Sequence, residues 1–336
     1  MLHRFAALSR PFALAAGLAL AGCSRPAANP DAPADSAFRL PAAGEFSVMS
    51  FNLRQYRLQD RDEGPDPLSP RPRPEADALF DVIRKASPDV LAVQEMGDPD
   101  AWTDFKNRLR AAGLQYRYEE YLRADPNDSN LALLSRFPVV GRFPRTNDVY
   151  TIGPSQFPVR RGFLDVEIEV NPDYRFRLVA AHLKSKVFHA YGQAEMRRNE
   201  ARLLGNHARA LLNQNPDLNL LVLGDFNDVP DSRVLREIRT YQDKSILLDL
   251  RPADPSGDAW TRRAPNDVHE RVDYLLASPA MAREILLDKT TVSRDPILLP
   301  ATDHRPLFAV FSARDLPAGS APDLSLRSPP DFPQND

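Results

Sequence analysis

Several apolar runs in this sequence end on residues that can move a proton, hold a cation or donate to an anion. Phe46-Ser-Val-Met-Ser-Phe51 runs into Asn52, and Val90-Leu-Ala-Val93 into Gln94 and Glu95. Leu178-Val-Ala-Ala181 runs into His182, and Leu220-Leu-Val-Leu223 into Gly224-Asp225-Phe226-Asn227. Arg271-Val272 leads into Asp273, and Thr302 precedes Asp303 and His304. A single acidic run-end is weak evidence, because chains turn into solvent and Asp favours turns. Several such ends mixing carboxylates, amides and two histidines are the material of acid–base and phosphate chemistry. Asp225 and Asn227 lie two apart, so on an extended strand end they point the same way.

The elements that must carry these residues alternate along the chain. Strands are expected over 45–52, 89–93, 116–122, 131–135, 163–170, 175–183, 218–223, 272–276 and 307–311. Helices are expected over 75–86, 100–112 and 192–212; Ala76, Leu79, Phe80 and Ile83 give the first its apolar face. Asn171-Pro172 suits a hairpin turn, and the unbroken run 218–223 reads as a buried central strand. The pattern indicates a layered α/β protein in which functional residues gather at strand ends. The folded body is read as one domain over 45–312.

The flanks differ in composition. Residues 1–22 combine Arg4 and Arg10 with a short apolar run that ends in Leu20-Ala21-Gly22-Cys23. This is an export signal, too short to span a bilayer comfortably, with the small-small-Cys order of a bacterial lipoprotein cleavage box. Cys23 is the chain's one cysteine, so no internal disulfide exists and lipidation is its expected role. The expected setting is the bacterial cell envelope, lipid-anchored and facing the periplasm or outer membrane, as a monomer. Residues 23–44 read as a flexible tether and 313–336 as a Pro-rich tail. Five prolines between 65 and 74 mark a long loop. Removing 1–22 takes away two arginines and no acid, which moves the net charge from −3 to −5. That balance gives no support for a broad basic surface binding long nucleic acids and leaves room for a local basic cleft.

In their order, Asn52, Gln94-Glu95, His182, Gly224-Asp225-Phe226-Asn227, Asp273 and Asp303-His304 resemble the endonuclease/exonuclease/phosphatase superfamily. Asn130-Leu-Ala-Leu-Leu-Ser-Arg-Phe-Pro138, His182-Leu-Lys-Ser185 and Arg271-Val-Asp-Tyr-Leu275 resemble it too. Each motif alone is common; their joint order is specific and covers nearly all of 45–312. The resemblance implies a four-layer sandwich, two packed mixed β-sheets flanked by helices. It also implies a Mg²⁺-dependent phosphoester hydrolase, with Mn²⁺ as a substitute.

On that resemblance Glu95 is the principal metal ligand, since hard cations prefer carboxylate oxygens. Asn52 supports it as ligand or donor, and Asp303 is a second ligand or an orienting group. Asp225 orients or deprotonates water and Asn227 donates to the phosphate. Asp273 fixes the tautomer of His304 and favours its charged form, while His182 binds phosphate or protonates the leaving group. Which histidine is acid and which is base stays open. Lys184 and Arg160 are candidate substrate grips, with Lys186, Arg161 and His189 as weaker ones. Arg197, Arg198 and Arg202 are expected to pair mostly at the surface with Glu195 and Glu200, with one arginine facing the site; His207 is expected to lie on a helix surface, and Trp260 to pack. His269 is a minor candidate for substrate contact. The substrate is a nucleic acid, a lipid phosphate or a sugar phosphate; no apolar membrane-inserting hairpin is visible. A scaffold that has lost its chemistry is the third reading, and the intact Glu95, Asp225, Asn227, Asp273 and His304 argue against it.

Overall fold

The structure, a computed structural model, describes residues 38–58, 74–125, 129–298 and 300–320. The export signal, Cys23, most of the tether, loop residues 59–73 and the last part of the tail lie outside the described residues. No helix among the described residues is long and apolar enough to cross a membrane.

Twelve strands build two six-stranded sheets. They are β1 (Glu45–Tyr56), β2 (Val90–Met96), β3 (Tyr118–Leu122), β4 (Asn130–Ser135), β5 (Val139–Arg142), β6 (Phe163–Asn171), β7 (Tyr174–His182), β8 (Leu220–Asp225), β9 (Leu248–Asp249), β10 (Asp273–Ala277), β11 (Thr291–Val292) and β12 (Leu307–Ser312). The first sheet runs β11-β12-β1-β2-β4-β3 and the second β9-β10-β8-β7-β6-β5. Each sheet has one central parallel pair, β1 with β2 and β7 with β8, flanked by antiparallel neighbours. Helices α1 (Asp77–Ala86) and α2 (Pro99–Ala111) pack on the first sheet. Helices α3 (Gln193–Gln214) and α4 (Arg233–Arg239) pack on the second. The result is the four-layer sandwich expected from the sequence.

Strand periodicity explains where the polar residues go. Phe46 and Val48 of β1, Leu178 and Ala180 of β7, Leu221 and Leu223 of β8, and Leu275 and Ala277 of β10 fill the core between the sheets. Their alternates face the helices: Met49 and Phe51 in one cluster, Val179, Val222 and Leu276 in another. The two-residue repeat carries the inward face on to Asn52, His182, Asp225 and Asp273. The inter-sheet core therefore turns from apolar to polar at one end, where these four side chains meet.

Glu95 breaks the repeat. Gln94 continues the inward parity of Val90 and Ala92, so Glu95 would face the helices. Instead β2 loses register with β4 between Val93 and Met96, and Glu95 has φ 62°. Such an irregularity re-aims a side chain, and the Glu95 carboxylate lines the cleft.

Some elements were not visible in the sequence: β5, β9, β11, α4, and the small hairpins 149–158 and 262–270. Strands of two to four residues carry too little periodicity to register. Phe38, inside the stretch read as tether, is buried edge-on against Phe308 at 5.3 Å. Ala313 to Leu316, read as tail, bond to Gly44, Asn171, Asn219 and Arg283.

Candidate active site

Strand register brings the central groups together. Asp225 sits opposite His182 in the parallel pair and opposite Asp273 in the antiparallel one. Gly224 makes this possible. A Cβ there would lie 2.0 Å from the Ala181 carbonyl oxygen, and φ is 129°. Across the sandwich, Asn52 Nδ2 donates to Asp225 Oδ2 at 3.0 Å and to Glu95 Oε1 at 3.3 Å, so one amide joins carboxylates from both sheets. Its oxygen accepts from Arg54 N at 2.9 Å. His182 Nε2 lies 3.6 Å from Asp225 Oδ2 and 3.9 Å from Glu95 Oε1. His304 Nδ1 bonds Asp273 Oδ2 at 2.9 Å, and its Nε2 lies 3.8 Å from Asp225 Oδ2. Thr302 Oγ1 accepts from His304 N and donates to the Asn52 carbonyl, tying the two loops. Asn227 has φ 55°; its N–H donates to Asp225 Oδ1 at 2.8 Å and its Nδ2 to Leu183 O at 3.0 Å.

Burial separates the protonation states of the two histidines. It holds His182 well below the usual imidazole range, helped by the positive charges of Arg161 and His304, so this ring is neutral at pH 7. Burial would also lower His304, but Asp273 overrides it, with Asp225 and Asp303 adding, and raises the ring to about 10. Burial, reinforced by Asp273 and opposed by His304, pushes Asp225 up to about 7. The resting site thus holds a charged His304, a neutral His182 and an Asp225 poised near neutrality, the range that suits proton transfer.

Two groupings offer oxygen and nitrogen donors to a metal. Atoms of Asp225, Asp273 and His304 lie within 4.8 Å of one another. There Nδ1 of the imidazole bonds Asp273 and Nε2 faces Asp225, so the three side chains form a hydrogen-bond network as well as a donor set. Glu95 suits a hard divalent cation: its carboxylate reaches the cleft, and the Asn52 amide joins it to Asp225. Asn52 turns its NH₂ toward both, the donor rather than the ligand orientation. Asp303, read as a second ligand or an orienting group, lines the cleft and accepts from Arg262 Nε at 3.1 Å, with Arg54 Nε 3.9 Å away.

The cleft over these groups has a volume of about 990 Å³. Its lining includes the grouped Asp125, Ser129, Arg160 and Arg161, and the paired Lys186, Arg262 and Glu270. Arg160 lies where a substrate grip was expected, but Lys184 does not. Its Nζ bonds the Ser185 and Val187 carbonyls of its own loop, and it does not line the cleft. Lys186 does, paired with Glu270. His189 and His269 also lie off the cleft lining; His189 packs edge-on to Phe157, and His269 stacks on Trp260 at 4.1 Å. Arg305 covers Trp260, so packing is its role.

Two residues of α3 are buried beneath the site: Arg197, the one arginine of the three that turns inward, and Glu200. Arg197 Nε bonds Asp228 Oδ2 at 2.8 Å and its Nη1 reaches the Lys184 carbonyl at 3.2 Å, clamping the loops after β7 and β8. Glu200 accepts from Lys184 N at 2.6 Å. His207, also expected at the surface, bonds the fully buried Asp165 at 2.7 Å. Helical spacing gave no signal for these, because the packed face of α3 is itself polar near the loops.

The profile of the endonuclease/exonuclease/phosphatase family matches residues 49–304. The chain belongs to this family. All three activities in the family's description are hydrolyses of phosphate esters. Among solved structures, the human Nocturnin catalytic domain with bound sulfate is similar, with TM-score 0.56 and 19% identity over 80% of this chain and 94% of that one. ANGEL2, described as a 2′,3′-cyclic phosphatase, gives TM-score 0.55 and 15% identity over 80% and 95%. Truncated TDP2 of Caenorhabditis elegans gives TM-score 0.51 and 20% identity over 80% and 98%. At these identities the likeness establishes the shared fold. No curated protein matches in sequence.

Proposed function

We propose that this family member hydrolyses phosphodiesters or related phosphate esters by attack of water, with Mg²⁺ or Mn²⁺ held by Glu95 and supported by Asn52. The observation that carries the reading is the joined network of Glu95, Asn52, Asp225, His304 and Asp273, with neutral His182 beside it. A divalent cation, when bound, supplies Lewis-acid polarisation of a phosphoryl oxygen and offsets charge on the leaving oxygen. Asp225, poised near neutrality, orients the attacking water and accepts its proton. Charged His304, held by Asp273, donates to a phosphoryl oxygen as negative charge grows there. Neutral His182 donates or accepts through Nε2 at the same centre, and the second amide hydrogen of Asn227 is available to the phosphate. The proposed setting is the bacterial envelope, with the monomeric protein anchored through lipid on Cys23.

The test is turnover of bis(p-nitrophenyl) phosphate and of a panel of DNA, RNA and phosphomonoesters with Mg²⁺ and Mn²⁺. Asp225→Asn and His304→Ala are each expected to lower turnover by about 10²-fold or more. Activity surviving both changes, or inertness of the wild type across the panel, overturns the proposal. A lipid- or sugar-phosphate substrate is the second reading. Val187, which lines the cleft, and its neighbour Phe188 are 71% and 82% exposed, apolar surface that the sequence had not suggested. Product analysis by ³¹P NMR on phospholipid vesicles separates this reading from a nuclease.

A further inference from the structure

Two arginines that line the cleft converge on one buried carboxylate. Asp125 is fully buried, and Arg160 Nε meets its Oδ1 at 3.0 Å while Arg161 Nε lies 3.3 Å from its Oδ2. A buried carboxylate needs a partner, and one guanidinium would neutralise it. Here two guanidiniums converge on the one carboxylate. Arg161 is mostly buried and also bonds Ser129 Oγ at 3.3 Å and the carbonyls of His182 and Leu183, which seats it beside the end of β7. Arg160 is 38% exposed in its side chain, and its bonding to Asp125 goes through Nε. The terminal nitrogens of its fork remain for an anion, and such forks match phosphate oxygens two at a time.

Arg160 and Asp125 touch none of Glu95, Asp225, Asp273 or His304, so this pair stands beside the reaction centre on the same cleft. At about 990 Å³ the cleft has room for far more than one phosphoryl group. We infer that Arg160 and Arg161, held by Asp125, form an anion subsite for a second phosphate on the substrate, next to the one that is cleaved. Asp125 is the positioning residue; it fixes Arg160 through Nε and so aims the fork. The inference rests on the proposed phosphoester hydrolysis. The second phosphate belongs either to the adjoining nucleotide of a strand or to a sugar bisphosphate, both of which present phosphate oxygens at a short fixed separation.

The experiment compares three chromogenic substrates with the whole enzyme: p-nitrophenyl thymidine 5′-phosphate, the same compound with a 3′-phosphate, and the same with a 3′-phosphate methyl ester. Wild type is expected to prefer a bisphosphorylated substrate in kcat/KM by roughly 10- to 100-fold, the range of a charged hydrogen-bond pair. Arg160→Gln is expected to collapse that ratio toward one. Arg160→Lys, which keeps the charge without the fork, is expected to retain part of it. Preference for both 3′-modified substrates indicates a strand; preference for the free 3′-phosphate alone indicates a sugar bisphosphate. A wild-type ratio near one, or a ratio unchanged in Arg160→Gln, overturns the subsite. If wild type turns over none of the three, the hydrolase reading is left to the broader panel, and calorimetric binding of inorganic pyrophosphate decides the subsite. Equal affinity in wild type and Arg160→Gln overturns it there, and weakened binding in the variant supports it.

Discussion

Replacing Asp273 by Asn isolates the charge that defines His304. The carboxylate sits 2.9 Å from Nδ1 in a fully buried site and is the leading influence raising the ring to about 10, against burial that would lower it. A group raised in the folded state stabilises fully below its unfolded value, 6.5 for His, and loses that contribution as pH climbs through the folded value. At pH 7 the three units up to about 10 correspond to roughly 4 kcal/mol, in line with the roughly 3–5 kcal/mol lost when one partner of a buried pair is removed. The variant amide leaves the ring free to shed its proton, so the variant is expected to fold with a neutral His304. Urea unfolding of both proteins from pH 6 to 10 measures this. The wild-type advantage is expected to be about 4 kcal/mol near pH 7 and to shrink steadily toward pH 10. Nitrogen NMR of the His304 ring should show the titration moving from about 10 to the neutral range or below, with turnover falling by about 10²-fold or more. A wild-type advantage independent of pH between 6.5 and 10, or a ring still titrating near 10 in the variant, refutes the assignment of the charge to Asp273.

Two further outcomes follow from the same geometry. Millimolar Mg²⁺ or Mn²⁺ is expected to raise the thermal midpoint of wild type, by about 2.7 kcal/mol of stabilisation at a hundredfold excess over the dissociation constant; the shift is expected to vanish in Glu95→Gln, and an undiminished shift there places the cation elsewhere. Gly224→Ala would put a methyl group 2.0 Å from the Ala181 carbonyl at φ 129°. It should cost about 3 kcal/mol or more, from strain and loss of the β7–β8 contact, and an unfolding midpoint within 2 °C of wild type contradicts the reading of that close approach.

How far the sequence reached is clearest at particular residues. Long elements were legible because apolar spacing survives over six or more residues, as in β8 and α1. The strand-end residues were legible because they interrupt apolar runs with chemically active types. Lys184 was ranked above Lys186 although neighbouring lysines on one loop differ only in which way the turn aims them; Lys184 caps its own loop and Lys186 lines the cleft. Asp125 gave no signal, because its burial depends on Arg160 and Arg161, about 35 residues away in sequence. Arg197 and Glu200 looked like solvated helix residues because helix periodicity does not tell which polar face lies under a loop.

The sequence by itself determined the layered fold and the inward parity of its strands, since both follow from local patterns of apolar and polar residues. It also determined that carboxylates, amides and histidines close those strands at Asn52, His182, Asp225 and Asp273. Only the tertiary structure decided what these residues do to one another. Register set Asp225 between His182 and Asp273, an irregular turn of β2 brought Glu95 round to the cleft, and sheet packing laid Asn52 across to Asp225. Burial then split two like imidazoles into a charged one and a neutral one. Proton affinities depend on distances and desolvation between segments far apart in sequence, and no local pattern encodes those.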